Sequence, residues 1–144
     1  RFRINSSLFK LHFKIAQFLR IAGDMNESQK HMLKALELVQ DPEDLDLLIA
    51  EVWKSLAYDL SADERTFSYQ ILVQLFRKNC DYTNLILVII SLVEHNLKLL
   101  HNKQMSLELL DEAKELIQEY FPNNPAKLGE IEELIQRVSL LDDN

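Results

Sequence analysis

The fold is decided by residues 9–42, FKLHFKIAQFLRIAGDMNESQKHMLKALELVQDP. On both sides of Gly23-Asp24, apolar residues recur every three or four positions, which is the spacing of one helix face. Gly23 suits the left-handed conformation that commonly follows a helix, and Asp41-Pro42 supplies an N-cap and a proline at the first helical position. The stretch therefore predicts two helices joined by a short turn, with a third helix starting at Pro42.

The composition of the whole chain favours helices as well. Its 144 residues include only two Gly and three Pro, which is little material for the many turns of a β-sandwich or barrel. The common residues, Leu, Ile, Glu, Lys and Gln, are good helix formers. A chain of this length is about one domain and can bury a core. We therefore expect an all-α fold.

The helix signals predict about seven helices, which short connections should make antiparallel neighbours. They are arranged as hairpins at about 7–40, 42–79 and 82–121, followed by a last helix at 125–142. The turns inside the pairs fall near Gly23, Ser61 and Asn102, which are 38 and 41 residues apart. Such spacing is typical of an α-solenoid, although the same helices can also form a closed bundle.

Several helix ends and core faces can be predicted in detail. Helix 1 should start near Ser7, with Asn5, Ser6 or Ser7 as its N-cap. Asn26 and Gln29 have the spacing of a capping box and should open helix 2. The predicted core face of helix 1 consists of Leu8, Leu11, Ile15, Phe18, Leu19 and Ala22. The apolar run from Leu85 to Val93 should be covered on most sides.

The first hairpin, Phe9–Pro42, resembles one unit of the tetratricopeptide repeat (TPR) family. The resemblance is carried by Ile15-Ala16, Leu19, the turn at Gly23-Asp24 and the segment Lys34–Leu38. Ser28 departs from the family's usual alanine, Pro42 comes two residues late, and the later hairpins keep the rhythm without the motif. The resemblance implies a right-handed TPR-like solenoid, with residues 1–144 as a single helical-repeat domain and part of a longer solenoid protein.

By position, the resemblance places Lys10, Phe13, Lys14 and Gln17 in the groove of the first unit. Two lysines beside a phenylalanine suit an acidic segment or a peptide carboxylate, although the other basic and asparagine residues of a carboxylate clamp are not found. A solvated helix face is the alternative interpretation. Trp53 suits either the interhelical core, which we favour, or the groove.

Charge is distributed unevenly along the chain. Residues 1–34 carry seven Lys/Arg and two Asp/Glu, whereas residues 41–64 carry eight acids and one base, and residues 105–144 ten acids and three bases. A basic hairpin beside acidic regions can guide an acidic partner, or it can reflect ordinary solvated faces. Nucleic-acid binding is not favoured, because the overall net charge of −7 would repel phosphates.

Catalytic, metal-binding and membrane functions have little support in the sequence. No nucleophile elbow, phosphate-binding glycine loop or zinc motif occurs, and the four histidines are dispersed. We expect no enzyme activity, no metal and no cofactor. The longest apolar run is too short for a membrane span, and the single cysteine, Cys80, favours a reducing compartment, the cytoplasm or nucleus.

These observations favour a non-catalytic protein–protein interaction scaffold that binds protein or peptide segments through a helical-repeat groove. The alternative is a peptide-sensing regulatory domain of a larger signalling or transcription-regulating protein, since some bacterial pheromone receptors with such repeats bind small peptides. The partner and the oligomeric state are left open by the sequence.

Overall fold

The computed structural model describes residues 2–143, with side chains from Ile4 onward, and within this range it contains helices and turns but no strand. The helices are α1 (Phe2–Ile21), α2 (Met25–Leu38), α3 (Pro42–Ser55), α4 (Ala62–Lys78), α5 (Tyr82–Leu99), α6 (Lys103–Tyr120) and α7 (Pro125–Ser139). Over these residues, the prediction of an all-α fold with about seven helices is confirmed.

Three helix boundaries follow from local chemistry as predicted. Gly23 has a φ of 87°, the left-handed conformation that ends α1. The Asp41 side chain accepts a hydrogen bond from the Glu43 backbone N–H at 2.9 Å and caps α3. Ser61 and Glu64 form a reciprocal capping box at the start of α4, with distances of 2.9 and 3.1 Å.

Two predicted starts were wrong. α1 begins at Phe2, so Asn5, Ser6 and Ser7 lie inside the helix, where such residues are tolerated when the apolar pattern continues through them. α2 begins one residue before Asn26, and its cap is Asp24, which accepts a hydrogen bond from the Glu27 N–H at 3.2 Å. A carboxylate at this position also interacts favourably with the helix dipole.

The chain divides into two compact units, residues 1–79 and 80–144. In the first unit, α1 contacts α2 and α3, and α4 contacts α2 and α3. Ala16 on α1 is fully buried, and the Ser28 hydroxyl of α2 donates a hydrogen bond to its carbonyl at 2.7 Å. A small residue at this point allows the two helices to approach closely. The largest fully buried side chains of this unit are Phe9, Met32, Leu48, Ile71, Leu72 and Leu75.

Polar side chains fix the remaining helices of the first unit. Gln29 is buried and donates from Nε2 to the Glu64 carbonyl at 2.7 Å and to the Ser68 hydroxyl at 2.8 Å, which ties α2 to α4. The Arg20 guanidinium of α1 donates to both carboxylate oxygens of Glu51 on α3, with Nη2 to Oε1 at 3.2 Å. A buried ion pair of this kind orients α1 on α3.

In the second unit, α5 contacts α6 and α7, and α6 contacts α7. From Leu85 to Val93 almost every side chain of α5 is buried, as predicted, with Leu87 and Ser91 as the more accessible positions. Asn96 is fully buried and donates to the Ser106 hydroxyl at 3.0 Å, which joins α5 to α6. The described helices include none with the length and apolar character to cross a membrane.

Candidate functional site

The face of α1 that packs in the core is not the predicted one. Phe9 is 1% exposed and Ala16 is fully buried, whereas Leu11 is 53% and Phe18 is 70% exposed. At about 100° per residue, Leu11 and Phe18 lie on the side of the helix opposite Phe9 and Ala16. α1 therefore has two apolar faces, and the predicted core face is the one that α2 and α3 leave largely open.

The accessible side of α1 carries a continuous row of large apolar side chains. We call this row the α1 stripe; its members are Ile4, Leu8, Leu11, Ile15 and Phe18. Ile15 is half-buried and the other four are exposed. Successive members are separated by 4, 3, 4 and 3 residues, which is the spacing of the apolar seam in helices that pack side by side.

Basic and polar side chains lie along one edge of the α1 stripe. Around the helix from the core face to the stripe, the order is Phe13, Gln17, Lys10 and Lys14. Lys10 and Lys14 are exposed, and Gln17 is half-buried. Residues 2–21 contain no Asp or Glu, so this edge has no acidic neighbour on its own helix.

Phe13 and Trp53, the two predicted aromatic contacts, lie at the margin of the core. The Phe13 ring is half-buried and stacks on Phe9, with the ring centroids 5.8 Å apart. The Trp53 ring is 44% exposed, and its centroid lies 6.5 Å from that of Phe76. Trp53 is thus neither a fully buried core residue nor a free surface side chain.

A histidine pair on the opposite edge of the stripe was missed in the sequence. Nδ1 of His12 and Nδ1 of His31 are 2.9 Å apart, so one ring donates and the other accepts. Burial, then the nearby His31 and Lys34, lower the pKa of His12 below its ordinary value. The two residues are roughly equidistant from the Gly23 turn, and this symmetry of the hairpin is the signal that could have paired them.

The second unit has a shallow apolar groove of about 180 Å³ in which Ile86, Leu87, Ile117 and Phe121 meet. Nearby, the rings of Tyr82 and Tyr120 stack with their centroids 4.5 Å apart. Hydrogen bonds with the Cys80 thiol and with Tyr120 raise the pKa of Tyr82 to about 12. One charged side chain, Lys127, lines this groove, and it pairs with Glu130 at 3.1 Å.

No cluster of three or more His, Cys, Asp or Glu side chains suited to a metal ion occurs among residues 4–143. Comparisons with family models, with curated proteins and with solved structures give no match to this chain. The α1 stripe and its basic edge combine exposed apolar side chains with exposed lysines on one helix.

Proposed function

We propose that this chain is a non-catalytic protein–protein interaction scaffold and that the α1 stripe with Lys10 and Lys14 is part of its binding surface. The observation that carries the proposal is the row of exposed Leu, Ile and Phe side chains on one helix. Contiguous apolar patches on soluble proteins commonly mark sites of interaction. Burial of one such side chain is worth ~1.5–3 kcal/mol before the costs of association are subtracted.

The basic edge supplies orientation and selectivity to this surface. Lys10 and Lys14 are exposed, and charges at the rim of an interface mainly accelerate encounter with an oppositely charged partner. Gln17 adds a hydrogen-bonding group between them and the core face. We therefore propose that the partner segment is acidic.

We further infer that the helix pairs are stacked as hairpins in a right-handed TPR-like array. In support, α1 contacts α2, α3 contacts α4 and α5 contacts α6, so helices that are consecutive within each predicted pair touch. The single cysteine agrees with a place in the cytoplasm or nucleus.

The proposal is tested by affinity purification of the full-length protein. The binding variant is Leu11→Ser/Phe18→Ser, and the matched control is Leu47→Ser/Leu140→Ser, which also replaces two exposed apolar side chains. We expect a specific partner to be retained by the wild type and the control and lost with the binding variant. Retention of every partner by the binding variant would show that the stripe is not an interaction surface.

A further inference from the structure

We propose that the α1 stripe binds an acidic amphipathic α-helix of a partner protein, in a side-by-side arrangement. This inference rests on the proposed function and names the class of segment that the surface takes. Three features favour this occupant: the spacing of the stripe, its basic edge and the burial of the apolar faces of the chain's own acidic helices.

The spacing of the stripe favours a helix as the occupant. With Leu8 and Ile15 at the a positions of a heptad, Ile4, Leu11 and Phe18 fall at the d positions. From Ile4 to Phe18 the row spans about 21 Å, at ~1.5 Å per residue. A straight apolar row of this kind accepts the a and d residues of a second helix over about two heptads. An extended segment, with side chains alternating every second residue, does not match the spacing.

The charges beside the row favour an acidic occupant. Lys14 falls at a g position, next to the seam, and Lys10 falls at a c position one row further out. Side chains at e and g positions form ion pairs across a helix–helix seam and determine which partner is accepted. Both lysines are exposed, so Glu or Asp side chains along the facing edge of a partner helix can pair with them.

A second copy of α1 is a poor occupant of the same stripe. In an antiparallel pair that aligns Leu11 with Ile15 of the second copy, Lys14 faces Lys14, and like charges in this arrangement are destabilising. In the register that aligns Leu8 with Leu11, Lys14 faces Ser7. In a parallel pair, Lys14 faces the e position of the next heptad, which is occupied by Leu19. Neither arrangement offers a carboxylate, since residues 2–21 contain no acid.

The apolar faces of the chain's own acidic helices are already buried within the two units. On α6, Leu109, Ala113 and Ile117 are buried within the second unit, and so is the row of Ile131, Leu134 and Val138 on α7. On α3, Leu45, Leu48 and Val52 are buried within the first unit. Among the described helices, the acidic ones thus have no comparable free stripe to place on α1. A helix from a partner protein is the occupant that fits.

Three synthetic 21-residue peptides test the inference against the full chain. The first has Leu and Ile at a and d and Glu at e and g; the second replaces each Glu by Lys; the third has the composition of the first with apolar and polar residues alternating. Fluorescence anisotropy measures affinity at low and high salt, and circular dichroism measures the helicity gained on binding. We expect the first peptide to bind at least ~10-fold more tightly than the other two at low salt, with a smaller margin at high salt.

Two charge variants with the same change in net charge complete the test. Lys10→Glu/Lys14→Glu should remove the preference for the acidic peptide or reverse it, whereas Lys30→Glu/Lys54→Glu, which alters exposed lysines away from the stripe, should keep it. Both variants replace exposed side chains, and circular dichroism verifies that they fold.

Each outcome separates this inference from the proposed function. Equal binding of the three peptides, stronger binding of the basic or alternating one, or no binding of the acidic one overturns the acidic helix as occupant. The proposed function itself fails only if Leu11→Ser/Phe18→Ser loses no partner in the purification described above. A preference for the acidic peptide that Lys10→Glu/Lys14→Glu keeps also overturns it. Selective, salt-dependent binding of the acidic peptide supports the inference when this variant removes or reverses the preference.

Discussion

Replacement of Glu51 by Ala should destabilise the first unit far more than loss of an ordinary surface carboxylate. The Glu51 side chain is 1% exposed, and its carboxylate accepts hydrogen bonds from Nε and Nη2 of Arg20, whose side chain is 12% exposed. The hydrogen bonds with Glu51 are the main reason why the pKa of Arg20 is raised. Glu51→Ala therefore leaves the charge of the Arg20 guanidinium nearly buried and without its carboxylate. The exposed Tyr58 hydroxyl, 3.3 Å from Nη1, still accepts a hydrogen bond from it.

The magnitude follows from the cost of an unpaired buried charge. Removal of one partner of a buried ion pair typically costs ~3–5 kcal/mol. The Arg20 side chain keeps 12% of its surface in contact with water and can hydrate partly, so the lower end of the range applies. We expect the free energy of unfolding to fall by ~3 kcal/mol, which is a large part of the stability of a unit of this size.

Urea unfolding of the whole chain, followed by tryptophan fluorescence, measures this effect. Trp53 is the single tryptophan and lies on α3 two residues after Glu51, so its emission reports on the first unit. Glu37→Ala, which removes an exposed carboxylate from α2, is the control and should change stability by no more than ~0.5 kcal/mol. Arg20→Met/Glu51→Leu should recover most of the loss, because an apolar pair of similar volume often replaces a buried ion pair at little cost.

A loss below ~1 kcal/mol for Glu51→Ala, the range of exposed ion pairs, would contradict the assignment of this cost to a buried charge. A double variant as unstable as the single one would also contradict it, because the cost would then arise from packing around Glu51 and not from the uncompensated charge.

Three further predictions concern the histidine pair, a buried amide and a strained helix end. Because the pKa of His12 is lowered in the folded state, the unfolded chain binds a proton more readily, so the first unit should lose stability as the pH falls below ~6.5. Above ~7.5 the titration of His12 should not affect stability. In urea unfolding at several pH values, His12→Gln should weaken this dependence of stability on pH, whereas His101→Gln should not. Gln29→Ala removes the donor to two acceptors on α4 and should cost ~2 kcal/mol by the fluorescence assay, with the exposed Gln74→Ala nearly neutral. Leu100 has a φ of 58°, so Leu100→Gly should stabilise the second unit by ~0.5–1 kcal/mol in calorimetry, and a destabilising result would mean that its side-chain contacts outweigh the strain.

The elements that the sequence predicted well are those determined by local chemistry. The caps at Asp41 and Ser61 and the turn at Gly23 depend on residues within one turn of the helix end, and they were predicted correctly. The burial of α5 was also predictable, because a helix that is apolar nearly all round has no face suited to water. The start of α1 could not be predicted. Asn5, Ser6 and Ser7 are all good N-caps, and whether a helix begins at them depends on whether the apolar pattern continues before them.

The contacts between helices were beyond the sequence for a different reason. Arg20 and Glu51 are 31 residues apart, and His12 and His31 are 19 apart, so each pairing exists only after the helices have packed. Their residue types are compatible with a solvated surface as much as with a buried contact. Composition and periodicity indicate how many faces a helix can bury, but not which charged side chains meet.

The α1 helix shows why the candidate surface appeared first as a wrong core prediction. Apolar spacing along α1 is satisfied both by the face of Phe9 and Ala16 and by the stripe that includes Leu11 and Phe18, and periodicity alone cannot rank the two. The small Ala16, opposite Ser28, lets α1 approach α2 closely, so the hairpin packs through the face of Phe9 and Ala16. The α1 stripe then lies open with lysines along its edge. Burial of large apolar side chains contributes the most free energy. The apolar spacing that led to the wrong core prediction is therefore the same property that makes the stripe a proposed binding surface.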